Sequence, residues 1–204
     1  KTSPPIALDM FKFESECLKS LDEFTNSSLL VIPKPLVVKK LKSNAILLMP
    51  WLNLNHGNQL LLGKGLASLH KASSRKDLKQ FGWEKNGFIG SAIQQGGWDK
   101  NWGRYFINMR LVPQLKIAQK WGLNKSFYED LIEQLIPFLN KHEPQPSLVH
   151  GDLWSGNSAT YENSKGIIFD PACYWADREV DIAMTRLFGG FSKDFYSRYN
   201  SVWK

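Results

Sequence analysis

The residue types able to do chemistry are concentrated between His150 and Asp170. The octet His150-Gly-Asp152-Leu-Trp154-Ser-Gly-Asn157 is followed, after a polar turn, by Ile167-Ile-Phe169-Asp170-Pro171. Phosphoryl transfer to a hydroxyl requires a carboxylate that accepts or orients the hydroxyl proton, together with oxygen ligands that hold magnesium against the phosphates of ATP. Asp152 suits the first role, and Asn157 and Asp170 suit the second. Taken singly, each is also an ordinary turn residue. The three in this order, each after an apolar strand-like run, select phosphoryl transfer.

The elements that must position these residues are legible as alternating patterns. Ser147 to His150 and Gly166 to Phe169 read as short strands flanking a polar hairpin around Glu162 to Lys165. Upstream, Ile6 to Phe24 has apolar residues at helical spacing after Pro4 and Pro5, and Gln59 to Lys71 places Leu60, Leu61, Leu66 and Leu69 on one helical face. Between them, Leu29 to Val38 and Ala45 to Met49 read as extended segments, stopped by Pro50. Ser73 to Gly97, rich in Gly, Asn and Lys, reads as mostly loop that could line a site. A long helical pattern, kinked at Pro113, covers Trp98 to Trp121. A second over Ser126 to Leu139 points Leu131, Leu135 and Phe138 inward, and the chain closes with helices at Val180 to Phe188 and Phe195 to Trp203. A few strands followed by mostly helices is an α+β arrangement.

Composition narrows the function classes. Among 204 residues, 43% are hydrophobic, enough for a sizeable core. No apolar run approaches the roughly 18 to 20 residues of a membrane span, so no membrane partner is expected. The net charge of +7 favours an anionic ligand. The lysines are nevertheless scattered, pairs such as Lys39-Lys40 make no basic tract, and no nucleic-acid partner is expected. Cys17 and Cys173, far apart and without Cys-x-x-Cys spacing, read as free thiols of a reducing, cytoplasmic compartment. His56, His70 and His142 share no metal spacing.

Asn157 follows Asp152 by five positions, the separation between the catalytic Asp and the metal-binding Asn in protein-kinase catalytic loops. His-Gly-Asp-Leu-Trp-Ser-Gly-Asn, Phe169-Asp-Pro-Ala-Cys-Tyr174 and Asp177-Arg-Glu-Val-Asp-Ile-Ala-Met184 together resemble the hallmark blocks of the fructosamine (ketosamine) kinases, relatives of the aminoglycoside phosphotransferases. Phe88-Ile-Gly90, Arg110-Leu-Val-Pro-Gln-Leu115 and Leu187-Phe-Gly-Gly-Phe191 extend the likeness over most of the chain.

The resemblance implies a protein-kinase-like two-lobe fold, with a partial N-terminal lobe over residues 1–50 and a mainly helical C-terminal lobe over 51–204. It implies ATP and Mg2+ as cofactors, Asp152 as catalytic base, and Asn157 and Asp170 as metal ligands. Met49 and Trp51 would form the hinge beside the adenine, although a plain strand end at a proline fits the same residues. Lys1 would grip the α- and β-phosphates with Glu14 as its ion-pair partner; Glu16 is the alternative partner, and Lys1 is also readable as a frayed end. Trp154 would lie against the sugar or brace its own loop.

His150 is expected to brace the loop by hydrogen bonds rather than act as base. Asp177, Arg178, Glu179 and Asp181 are readable either as reaching the loop or as a solvated helix start. The phosphate-loop strand and a final helix of that family are missing, so truncation at both ends is expected. The implied substrate is a small ketoamine or a glycated lysine, and the implied role is repair of glycation. Rival readings are another aminoglycoside- or choline-type kinase, an inactive nucleotide-binding fragment, and a basic RNA-binding protein.

Overall fold

The computed structural model describes residues 1–74 and 78–204. The chain opens with strand β1 (Thr2–Ser3) and a 3-10 turn, Pro5–Ala7, whose fixed proline φ starts helix α1 (Leu8–Glu23). Strands β2 (Leu30–Val31), β3 (Val37–Lys40) and β4 (Ala45–Leu48) follow, then helix α2 (Leu60–Ser73). β1, β4 and β3 form an antiparallel sheet in that order, against which α1 packs through Phe11, Ala45 and Leu47.

The segment from 73 to 97 departs from the loop expectation. It contains β5 (Phe81–Trp83), β6 (Gly87–Ile89) and β7 (Ala92–Gln94), and β8 (Gly97–Asp99) begins at its end. Each strand is only three residues long, too short for an alternating pattern to be recognised, and glycines interrupt them. β5 is recruited into a four-stranded sheet between nearby β8 and a strand far along the chain at 174–176, whereas β6 and β7 pair as a separate hairpin.

The single long helix expected from Trp98 is also divided. Trp98 lies in β8; α3 (Trp102–Phe106) starts at Asn101, whose side chain caps Arg104 N–H, and runs through a π-helical turn at Ile107–Leu111 into α4 (Val112–Gln119). Pro113 falls just after the π-helical turn, at the start of α4, where it has no N–H to donate back to the turn before it. Helix α5 (Glu129–Asn140) forms where expected, but Leu131 and Phe138 are exposed rather than inward. The close α3–α5 approach occurs elsewhere, at Gly103, whose hydrogen-only side meets the Ile136 carbonyl; an added Cβ would lie 2.4 Å from that oxygen.

The rest of the chain builds the platform of the candidate site. β9 (Ser147–Val149) leads into the octet, and β10 (Ser158–Tyr161) and β11 (Lys165–Ile168) make the expected hairpin. β12 (Tyr174–Ala176), α6 (Glu179–Leu187) and α7 (Lys193–Val202) follow. β11 pairs in parallel with β2, and β12 joins β5 to β9. The main core lies among α1, α2, α7 and these strands, with Leu18, Leu66, Leu148, Leu153 and Phe195 fully buried. No helix among the described residues is long and apolar enough to cross a membrane.

Candidate active site

The octet emerges from β9 and is bound to the segment after β11 by three hydrogen bonds. Ala172 N–H donates to the His150 carbonyl at 2.8 Å, Phe169 N–H donates to the Asn157 carbonyl at 3.1 Å, and His150 Nε2 donates to the Phe169 carbonyl at 2.9 Å. Asp152 and Asp170, eighteen positions apart, therefore lie on two loops fastened to one another. Gly151 permits the approach: its φ is +81°, and a Cβ there would lie 2.1 Å from the Ala172 carbonyl oxygen.

His150 is fully buried, and burial pushes its imidazole below the ordinary histidine value, outweighing the nearby Asp181 charge and the Phe169 bond. With Nε2 carrying the proton donated to Phe169, Nδ1 is free to accept from the Asp152 N–H at 3.3 Å. His150 thus braces the backbone of Asp152. The Asp152 carboxyl is half-buried; desolvation pushes it above the ordinary carboxylate value, the Asn157 bond opposes this, and the charges of Asp170 and Asp181 add to it. Asn157 Nδ2 donates to the Asp152 carbonyl at 2.8 Å and to Asp152 Oδ2 at 3.1 Å, which leaves the Asn157 amide oxygen as its acceptor for other groups.

Asp170 closes β11 with a left-handed φ of +58°, an uncommon geometry for a side chain other than glycine. Its carboxylate pairs with the Lys1 ammonium, which also donates to Glu14 Oε1 at 2.8 Å. Lys1 is thus gripped by two carboxylates. Burial raises the Glu14 carboxyl, Lys1 pulls it down, and Asp170 pushes it up again. Glu16 points elsewhere and pairs with Lys85 at 2.9 Å.

Lys1, Glu14, Asp152, Trp154, Asn157 and Asp170 line one cavity of about 300 Å³. Trp154 is partly exposed and meets Phe188 edge-on at 5.9 Å; Gly156 seats its indole, since a Cβ there would come within 2.3 Å of the ring. Met49 and Trp51 are not among the residues lining this cavity. Met49 packs against both core clusters, and Trp51 is exposed, its Nε1 donating to Asn53 Oδ1 at 3.3 Å.

The donor set at this site suits a magnesium ion. Asn157 and Asp170 offer hard oxygen ligands on adjacent loops, and Mg2+ characteristically takes only one or two protein ligands, completing its shell with phosphate and water oxygens. The described residues contain no cluster of three or more His, Cys, Asp or Glu placed to hold a metal ion.

The sequence assigns no chemistry to His70 and leaves Asp181 between reaching the loop and a solvated helix start. Asp181 is fully buried and accepts from His150 N–H at 2.7 Å, Gly151 N–H at 2.9 Å and His70 Nε2 at 3.1 Å. The other ring nitrogen of His70 lies 2.8 Å from the Tyr199 hydroxyl. The β6–β7 hairpin also contributes: Phe88, Ile89 and Gly90 line the cavity, in keeping with the expectation that the 73–97 segment could line a site, although it forms strands rather than loop there. An aromatic and glycine-punctuated block was its only local signal. The two cysteines, separated in sequence, meet in the core: Cys173 N–H donates to Cys17 Sγ at 3.3 Å, and both remain free and buried.

The family model for fructosamine kinases matches residues 1–204. A protein named as a probable ketoamine kinase from Vibrio parahaemolyticus is 39% identical over 199 residues, covering 96% of this chain and 67% of the relative. One so named from Synechocystis is 35% identical over 193 residues, covering 93% and 64%. Among solved structures, a fructosamine-3-kinase candidate from Haemophilus somnus superposes with a TM-score of 0.85 at 30% identity, covering 100% of this chain and 68% of that one. An aminoglycoside-3'-phosphotransferase of type VIII superposes at 0.51 with 17% identity, a likeness of fold alone, covering 99% and 74%. The mixed α/β architecture is therefore the protein-kinase-like fold of these enzymes.

Proposed function

This chain belongs to the fructosamine kinase family, and from that premise we propose that it transfers the γ-phosphoryl group of ATP to a sugar hydroxyl of a ketoamine. The observation that carries the reading is the convergence of Asp152, Asn157, Asp170, Lys1 and Glu14 on one cavity. Because the chain spans about two thirds of the length of its relatives, with coverage of 67% and 64% in two of them, the activity is proposed for the protein as encoded.

In this proposal the acceptor hydroxyl gives its proton to Asp152 as its oxygen bonds to the γ-phosphorus and the bond from that phosphorus to the bridging oxygen of ADP breaks. Partial burial makes the Asp152 carboxylate a stronger proton acceptor than one in water. His150 fixes its backbone and Asn157 restrains its carboxylate, so little reorientation is needed at the moment of transfer. Lys1, positioned by Glu14 and Asp170, holds the α- and β-phosphates. Asn157 and Asp170 would hold Mg2+, which when bound supplies positive charge against the phosphate oxygens.

The backbone at Met49 to Trp51 is assigned to the adenine edge, and the indole of Trp154, partly exposed in the cavity, to the sugar. Loss of the phosphorylated sugar from the amine would make the role one of deglycation. Two free buried thiols support a cytoplasmic setting for it.

The test is magnesium-dependent ADP release by the protein as encoded, with fructosyl-lysine and ribulosyl-lysine as acceptors and Asp152→Asn as control. Turnover that requires a ketoamine and falls by roughly 100-fold or more in the control is expected. A folded protein that binds Mg-ATP but turns over neither acceptor would defeat the reading and direct the search to aminoglycoside- or choline-like alcohols.

A further inference from the structure

The cavity lining combines two kinds of chemistry: Lys1, Glu14, Asp152 and Asp170 bring charge, whereas Phe13, Phe88 and Ile89, with Gly90, bring apolar surface. Met49 and Trp51, the segment assigned to adenine, do not line it. A nucleotide held at that segment would enter this space with its phosphates, which the charged groups suit, and leave the apolar lining to the acceptor. That lining is built in part by the hairpin of β6 and β7, in which Gly87 opposes Gln94, Phe88 opposes Ile93 and Ile89 opposes Ala92, closed by a turn at Gly90 and Ser91.

The hairpin is fastened to the same helix that carries Glu14. Phe13 of α1 meets Trp83 edge-on at 6.5 Å and Phe88 at 6.2 Å. Gly87 sits directly on the Phe13 ring, where a Cβ would come within 2.4 Å. Across the outer side, Lys85 pairs with Glu16 at 2.9 Å, and the base of the hairpin is closed by Gly96 N–H donating to Asn86 Oδ1 at 2.9 Å. A wall that discriminates between ligands must be rigid relative to the reacting groups. Sharing α1 with Glu14 provides that rigidity.

We propose that the Gly87–Gln94 hairpin is the acceptor-discriminating wall of the site, with Ile89 as a specificity-determining residue that contacts the sugar-bearing substrate. The proposal rests on the kinase reading above and adds to it which part of the chain selects the acceptor. Ile89 lines the cavity and is half-buried, whereas Ile93 on the opposite strand is exposed and lines nothing in it. Bulk added at 89 therefore subtracts space from the acceptor, and bulk added at 93 goes into solvent.

The experiment compares Ile89→Trp, Ile89→Ala and Ile93→Trp in the protein as encoded, with separate KM values for Mg-ATP, fructosyl-lysine and ribulosyl-lysine, and thermal melting to verify folding. Ile89→Trp is expected to raise the KM for the ketoamines roughly tenfold with the KM for ATP unchanged, as expected for a change of pocket shape. Ile89→Ala is expected to change the ratio of kcat/KM between the two ketoamines, and Ile93→Trp to change neither. Should the folded Ile89 variants leave acceptor KM values and their ratio unaltered, or move the KM for ATP by the same factor, the hairpin would be only a buttress of α1 and the proposal would fall. Absence of ketoamine turnover in the unsubstituted protein would instead remove the kinase reading, and the proposal with it.

Discussion

Asp181 Oδ2 lies 3.1 Å from His70 Nε2 in the core, with both side chains fully buried and 111 positions apart in sequence. The carboxylate accepts at the same time from the backbone N–H groups of His150 and Gly151, so a pairing between α2 and α6 fixes the entrance to the Asp152 loop. Burial alone would raise the Asp181 carboxyl, but the bonds and charges of His70 and His150 prevail and hold it below the ordinary value.

Replacing Asp181 by Asn keeps the shape but sets an amide donor against backbone donors. A buried donor left without its acceptor costs about 1 to 3 kcal/mol. Urea unfolding of Asp181→Asn is expected to show a loss of that order, together with a lowered kcat through a displaced Asp152.

The two buried groups have different pH signatures. His150 has a folded pKa depressed below the ordinary 6.5, so the unfolded chain binds a proton that the folded chain excludes. Its contribution to stability is complete above that value and diminishes as pH falls below it toward the folded pKa. Asp181, depressed below 3.8, keeps its contribution above that value and loses it as pH falls through the folded pKa. Unfolding free energy measured against pH should thus begin to decline near 6.5, and His150→Gln should remove that first decline while leaving the second.

Glu14→Gln tests the grip on Lys1. The charge-assisted bond at 2.8 Å becomes a neutral one, leaving Asp170 as the remaining anionic partner of the ammonium. A loss of about 1.5 kcal/mol, or roughly tenfold in kcat/KM for ATP, is expected, with a smaller effect on the KM for the acceptor. An equal effect on both substrates would show that the pair supports the fold rather than the phosphates.

Gly151→Ala tests the approach of the two loops. A left-handed φ of +81° is strained for alanine, and its Cβ would collide with the Ala172 carbonyl, so the loops must separate. A loss of at least about 2 kcal/mol in urea unfolding is expected. The same change at Gly122, left-handed at +99° but with no neighbour near an added Cβ, should cost less.

Much of the candidate site's local structure is legible in the sequence because its parts are local. The His150 to Asn157 turn, the β10–β11 hairpin and the placement of Asp170 at a strand end all follow from turn residues and apolar runs within about twenty positions of sequence. Helices α1, α2, α6 and α7 were legible for the same reason: a helix announces itself by the side chains it repeats every turn.

What the sequence determined by itself was thus the order of chemical groups and the elements bearing them. The tertiary structure decided which distant groups meet. No periodicity links His70 to Asp181 or Cys17 to Cys173, since such pairs are selected by packing of separate elements rather than by neighbours along the chain. The same holds for the three-residue strands of the 81–99 segment, whose partners come in part from β12, and for Leu131 and Phe138, whose helical pattern specified a face but not what that face would meet. Periodicity reports the geometry of one element; burial depends on the surfaces brought against it.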